Sequence, residues 1–224
     1  MVLNGGCDPT FAEASDRSLL VSFGDVISPE ASRRVAALTR AFERHPAAGI
    51  VNLHPAYSSV LVVFDPLTLD HGAVRQEVAQ RLSEEDAKEA PARLVEIPVR
   101  YGGEFGPDLE HVATSHGLTP RAAAELHASV EYTAAFLGFA PGFAYLSGLP
   151  EQLATARLES PRQRVPAGSV GIAGRQTAVY PLPSPGGWQI IGQTDLEMFR
   201  ADRDPMTLIR IGDRVGFVAV EIRA

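Results

Sequence analysis

Between residues 18 and 99 the spacing of apolar positions switches between that of strands and that of helices. SLLVSF is strand-like. Ser28 and Pro29 then stand in the order of a helix cap and first turn, and Val35, Leu38 and Phe42 recur at helical spacing until His45-Pro46. GIVNL and SSVLVVF are two further apolar runs, joined through His54-Pro55-Ala56-Tyr57 in the manner of a hairpin. Val74, Val78 and Leu82 mark a second helix that Asp70 can cap, and LVEIPV completes a β-α-β-β-α-β series. Two helices crossing over an antiparallel sheet in this order predict a ferredoxin-like, split β-α-β domain.

The pattern changes after SEEDAKEAPA (83–92), a charged, alanine-rich stretch that reads as a linker. One short helix is predicted from Pro107-Asp108 to Gly117, and another from Thr119-Pro120 through Leu126 and His127. Thereafter SVEYTAAFLGF, RQTAVYPL, WQIIGQ, MTLIRI and RVGFVAVEIR are β-rich, and residues 138–192 hold nine glycines and seven prolines. Short strands joined by tight turns predict an antiparallel barrel. The expected fold class is therefore α+β, with an α+β domain over 1–92 and a β-barrel domain over 93–224.

Composition narrows the function. With 45% hydrophobic residues and no apolar run near the ~18 residues that a membrane span requires, the chain reads as soluble and cytoplasmic. Its first residues, MVLNGGCDPTFAEASD, lack a basic start and an apolar core, so they are expected to form a flexible tail rather than a signal peptide. Cys7 lies in that tail with nothing nearby to activate a thiol. A net charge of -7 argues against a nucleic-acid partner. Among 20 basic residues only Lys88 is a lysine, so from residue 89 onward the chain carries no P-loop lysine, Schiff-base lysine or biotin attachment point.

Candidate chemistry collects between residues 136 and 188. AGSVG (167–171) is one residue from a nucleophile elbow, but a β-branched strand rather than a helix follows, so Ser169 reads as a hydrogen-bonding residue, not a nucleophile. Gly168, Gly171 and Gly174 fit no dinucleotide fingerprint; they leave open a nest of backbone N–H groups for an anion. Arg157, Arg162, Arg164 and Arg175 face one nearby acid, Glu159, an excess suited to a carboxylate or phosphate, or equally to a solvated surface. In FLGFAPGFAYLSGLP the glycine and proline turns can set Phe139, Phe143 and Tyr145 at a barrel mouth, whereas Phe136 reads as core. The histidines show no metal-ligand spacing; His127 is the one to test, with a structural role favoured.

Together YGGEFGPDLEHVA, FLGFAPGFAYLSGLP, SPRQRVPAGSVGIAGRQTAVYPLPSPGGWQIIGQT and GDRV resemble the KipI family, also known as allophanate hydrolase subunit 1 and, in bacterial 5-oxoprolinase, as PxpB. The resemblance runs from about residue 17 to the end. It implies that the C-terminal barrel is cyclophilin-like. It also implies a cytoplasmic hetero-oligomer with a paralogous KipA- or PxpC-type subunit and a PxpA-type subunit, which opens 5-oxo-L-proline to glutamate with ATP. On that reading the chain is a hydrolase subunit, inactive alone, and ATP binds in the assembled complex. Two alternatives follow from the same family: a carboxyltransferase-type subunit of a urea carboxylase, with biotin supplied by another chain, or a KipI-like inhibitor of a sensor histidine kinase. The catalytic residues stay unassigned. The expected small-acid or amide site joins Arg162, Gln176 and the Gly186-Gly187 backbone as polar contacts to Phe139, Phe143, Tyr145, Tyr180 and Trp188 as walls, with Ser169 beside them.

Overall fold

The computed structural model describes residues 9–26, 28–85 and 92–223. Cys7, with the first half of the expected tail, and residues 86–91 of the expected linker lie outside the described residues. The chain divides into two compact units, residues 1–91 and 92–224.

The first unit contains β1 (Thr10–Ser15), β2 (Ser18–Ser22), α1 (Pro29–Arg44), β3 (Ile50–Pro55), β4 (Ser59–Phe64) and α2 (His71–Glu85). Both helices start where the sequence places their caps: Ser28 Oγ accepts from the Ala31 N–H at 3.1 Å and Asp70 Oδ1 from the Ala73 N–H at 2.8 Å. The strands form one antiparallel sheet in the order β1-β2-β4-β3. Leu19, Val21, Val60 and Val62 are fully buried, as are Val35, Leu38, Val74 and Val78 of the two helices. Two expectations are corrected. Residues 10–15 of the supposed tail are strand β1, which takes an edge of the sheet. LVEIPV does not close this sheet: Val95, Ile97, Val99 and Tyr101 are buried in the core of the second unit, and one buried face can serve only one core.

The second unit runs β5 (Leu94–Gly102), α3 (Leu109–Ser115), α4 (Pro120–Ala128), β6 (Glu131–Leu137), β7 (Ala144–Ser147), a 3-10 turn (Glu151–Leu153), β8 (Arg162–Val165), β9 (Ser169–Ala173), β10 (Gln176–Val179), β11 (Ser184–Gly186), β12 (Gln189–Gln193) and β13 (Arg214–Arg223). Seven strands close into a barrel in the order β10-β7-β6-β13-β5-β12-β9, and β8 and β11 form a separate ribbon. The barrel is not wholly antiparallel: β5 and β13, its first and last strands, pair in parallel over most of their length. MTLIRI is not a ladder strand either. It contributes an isolated bridge from Thr207 to Phe199, and Ile209 and Ile211 are buried from irregular backbone. Among the described residues no helix is long and apolar enough to cross a membrane.

Candidate functional site on the outer barrel wall

Strand alternation divides the candidate residues between the two faces of the barrel wall. In β9, Val170 and Ile172 point into the barrel core, which leaves Ser169, Gly171 and Ala173 on the other face. In β10, Val179 is inside, while Ala178 and the following Tyr180 lie outside. Ala144 and Leu146 of β7 are inside, and Phe143 and Tyr145 outside. The expected aromatic residues are therefore not at a mouth of the barrel. They pack on its outer wall as a second apolar cluster with Val165, Trp188 and Ile190.

The rings meet edge to face, the arrangement their quadrupoles favour. Phe143 lies at the centre, with ring centroids 4.9 Å from Tyr145, 5.4 Å from Tyr180 and 5.6 Å from Trp188. Phe136 stacks on Tyr145 at 4.4 Å, so it belongs to this outer layer. Small residues beneath make room: a Cβ on Gly171 would sit 3.1 Å from the Trp188 Cβ, and a Cβ on Gly186 would overlap the Tyr180 hydroxyl. Phe139 differs from the rest. It is 63% exposed, holds φ +70°, and reaches Phe143 at 5.2 Å and Tyr180 at 6.4 Å from the turn before β7. A bulky residue in the left-handed region is strained, and the turn is held by bonds from Gly138 N–H to the Phe143 carbonyl and from Phe143 N–H to the Ala140 carbonyl.

The polar candidates separate into engaged and available groups. Arg162 is engaged: its Nη2 donates to Asp108 Oδ1 at 2.7 Å and its Nη1 to the Trp188 carbonyl at 3.4 Å. The other Asp108 oxygen accepts from the Ile190 N–H at 2.6 Å, so this carboxylate ties β8 to β12 and makes no side-chain cap on α3. The glycine nest is not formed. Gly168 N–H donates to the Tyr180 carbonyl, Gly174 N–H to the Thr155 carbonyl, and Gly171 lies within a strand paired on both sides. Gln176, the first residue of β10, shares by alternation the outer face of Ala178 and of Tyr180, which follows the strand. Ser169 is buried there, its carbonyl accepting from the Tyr180 N–H. Gly187 accepts from the Leu158 N–H at 2.7 Å and has room around it.

Arg157, one of the four arginines of the local positive excess, lies at the edge of this cluster. Its guanidinium carbon lies 5.8 Å from the Trp188 ring centroid, and its charge reaches the Tyr145 and Tyr180 hydroxyls. Burial still pushes both phenols above their ordinary range, against the opposing pull of the arginine and, for Tyr180, of a hydrogen bond from the Trp188 backbone. Arg157 and Trp188 are 31 positions apart, so no local spacing could have paired them.

His127 is elsewhere, wholly buried inside the barrel. Thr177 Oγ1 donates to the Gly171 carbonyl at 3.0 Å, so it accepts from His127 Nε2 at 2.9 Å; His127 Nδ1 then accepts from the Tyr101 hydroxyl at 2.8 Å. Tyr132 donates to the His127 carbonyl. Burial pushes the imidazole pKa down to about 3. This neutral ring fastens α4 to the barrel and faces away from the aromatic cluster.

Comparison with known proteins agrees with the whole-chain layout. The family described as carboxyltransferase domain, subdomain C and D, matches residues 9–209. The 5-oxoprolinase B-subunit of Bacillus subtilis (strain 168) is 42% identical over 219 residues, covering 93% of this chain and 91% of that protein. The protein of the same name from Escherichia coli O157:H7 is 52% identical over 171 residues, 75% of this chain and 78% of that one. Among solved structures, TTHA0988 superposes with a TM-score of 0.83 at 39% identity over 92% of this chain, which spans 40% of the length of that protein.

Proposed function

The chain belongs to the carboxyltransferase subdomain C and D family, and from that premise we propose that it is the PxpB-type subunit of an ATP-dependent 5-oxoprolinase. The observation that carries the reading is near full-length similarity, 42% over nine-tenths of both chains, to a 5-oxoprolinase B-subunit. Of the outer-wall cluster, Phe139 is 63% exposed and Tyr145 half-buried, while Phe143, Tyr180 and Trp188 are buried, so Phe139 and Tyr145 are the rings that a flat, small acid can meet. The subunit acts with a KipA- or PxpC-type paralogue and a PxpA-type subunit, in the cytoplasm, and is inactive alone.

Opening a lactam by phosphorylating its carbonyl requires donors for the charge that develops on oxygen. Glycine-amide and lysine contacts to the ATP phosphates are not offered by the described residues: the Gly168 and Gly174 amides are engaged in barrel hydrogen bonds, and beyond residue 88 there is no lysine. In this reading ATP binds in the assembled complex. This chain's part is to hold and orient the substrate.

The test is release of ADP and glutamate from 5-oxo-L-proline and ATP, with this chain present or omitted from a mixture of all three subunits. Turnover only in the complete mixture is expected; equal turnover without this chain overturns the reading. The family's own description favours one second reading, a carboxyltransferase-type subunit acting on urea or a related amide. That reading predicts consumption of carboxybiotin dependent on the amide and no use of 5-oxo-L-proline.

A further inference from the structure

In β5 and β13 the residues Val95, Ile97 and Val99, and Val215 and Phe217, fill the barrel core. Alternation leaves Leu94, Glu96 and Pro98, with Gly216 and Val218, on the outer face. Two of these are apolar and open to solvent, Leu94 at 45% and Val218 at 42%, and Val220 beyond the bulge adds 60%. The wall is not the aromatic one: in the closed order β13 stands three strands from β10 and three from β9.

The register places Gly216 opposite Glu96 of β5 and opposite Glu131 of β6. A residue without a side chain thus lies between two carboxylates. A groove of about 390 Å³ opens there, with Leu94, Val130 and Val218 among its lining residues. A Cβ on Gly216 would meet nothing nearer than Leu94 Cδ1 at 3.9 Å, so the chain does not fill the space itself. The two acids differ. Glu131 Oε2 accepts from Arg214 Nε at 2.7 Å, whereas Glu96 makes no ion pair among the described residues.

A free carboxylate beside an apolar floor suits a cation on an apolar stem, as in arginine or lysine. A lone small amine would gain one solvated ion pair and leave the apolar strip uncovered; a protein surface covers both. A second copy of this chain would bring a net charge of -7 and the same unpaired acid to a symmetric contact. We infer that the outer face of β5 and β13 is a docking surface for another subunit, which places an arginine or lysine side chain in the groove against Glu96. The inference rests on the reading of this chain as one subunit of a 5-oxoprolinase, and it leaves the aromatic wall open to substrate.

The test labels exposed carboxylates with a carbodiimide and glycine ethyl ester, read residue by residue by mass spectrometry. The full chain is labelled alone and mixed with the KipA- or PxpC-type and PxpA-type subunits, and release of ADP and glutamate is followed in the same mixture. Labelling of Glu96 should fall severalfold on mixing. In sedimentation velocity, Glu96→Lys should weaken assembly about tenfold or more, and Glu96→Gln by less. Glu96 is exposed, so far-UV circular dichroism should show both variants folded. Turnover with Glu96 labelled as in the free chain, or assembly that Glu96→Lys leaves unchanged, overturns the inference and spares the 5-oxoprolinase reading. Shielding of Glu96 without turnover keeps the docking surface and overturns that reading; neither shielding nor turnover overturns both.

Discussion

Asp108 and Arg162 are joined by a 2.7 Å ion pair across the edge of the aromatic cluster, and the second oxygen of Asp108 accepts from the Ile190 backbone at 2.6 Å. One carboxylate therefore fixes the ribbon strand β8 and the barrel strand β12. Replacing Asp108 by Ala leaves the Ile190 N–H and the guanidinium short of an acceptor, and should cost about 2–3 kcal/mol of stability in urea unfolding. Asp108→Asn, which keeps an acceptor for Ile190, should cost about half as much. Equal losses would show that the contact to Ile190 contributes nothing.

Gly186 and Gly187 are neighbours with different expected tolerance. A methyl on Gly186 collides with the Tyr180 hydroxyl, whereas one on Gly187 meets Leu158 and Pro161 at 3.7 Å, ordinary contact. Gly186→Ala should therefore destabilise by about 1–3 kcal/mol, and Gly187→Ala by less than about 0.5. Thermal melts check both. A bulkier residue at 187 should leave the chain folded while lowering turnover in the assembled mixture; full turnover would reduce the SPGGW segment to architecture.

Phe139 combines a positive φ with a ring that is mostly exposed. Phe139→Gly relieves the left-handed strain, offset in part by the greater freedom of glycine in the unfolded chain, for a net gain of about 0.5–1 kcal/mol. If the ring serves the site, the same variant should raise KM for 5-oxo-L-proline in the three-subunit mixture. Stability gained with KM unchanged would separate Phe139 from substrate binding.

His127 predicts a pH dependence whose sign is fixed by its burial. The unfolded chain protonates this ring near pH 6.5 and the folded chain only near pH 3, so between those values the unfolded state binds more protons and stability falls as pH falls. At pH 5 the loss from this one residue is about 2 kcal/mol relative to pH 8. His127→Gln, less stable at pH 8 because it disturbs the bonds to Tyr101 and Thr177, should show a shallower decline in Tm from pH 8 to pH 5. Parallel curves for the two proteins would refute the assignment.

Local signals in the sequence sufficed for the helices. Ser28, Asp70 and Thr119 cap where their side chains can reach the next turn, and that chemistry is confined to four residues. Strand membership was less legible. LVEIPV has the alternation of a half-buried strand in either unit, and only its long parallel ladder with β13 decides which core it fills. The aromatic residues of the site were visible as residues but not by location, because a mouth and an outer wall use the same turn-rich composition. Arg157, Asp108 and Gln189 act across 31, 54 and 33 positions, on Trp188, Arg162 and Ala156 respectively, through contacts that no spacing rule encodes.

The pairing of β5 with β13 sets an order of events in synthesis. Residues 94–102 leave the ribosome more than a hundred positions before their partner at 214–223. Until then the unfinished barrel has two bare edges, at β5 and at β6, where β13 later bridges them. Such edges recruit strands from other chains, and a topology that joins distant segments is slow to form. A nascent chain stalled before residue 214 should therefore need a holding chaperone to stay dispersed, and one extended past Arg223 should not.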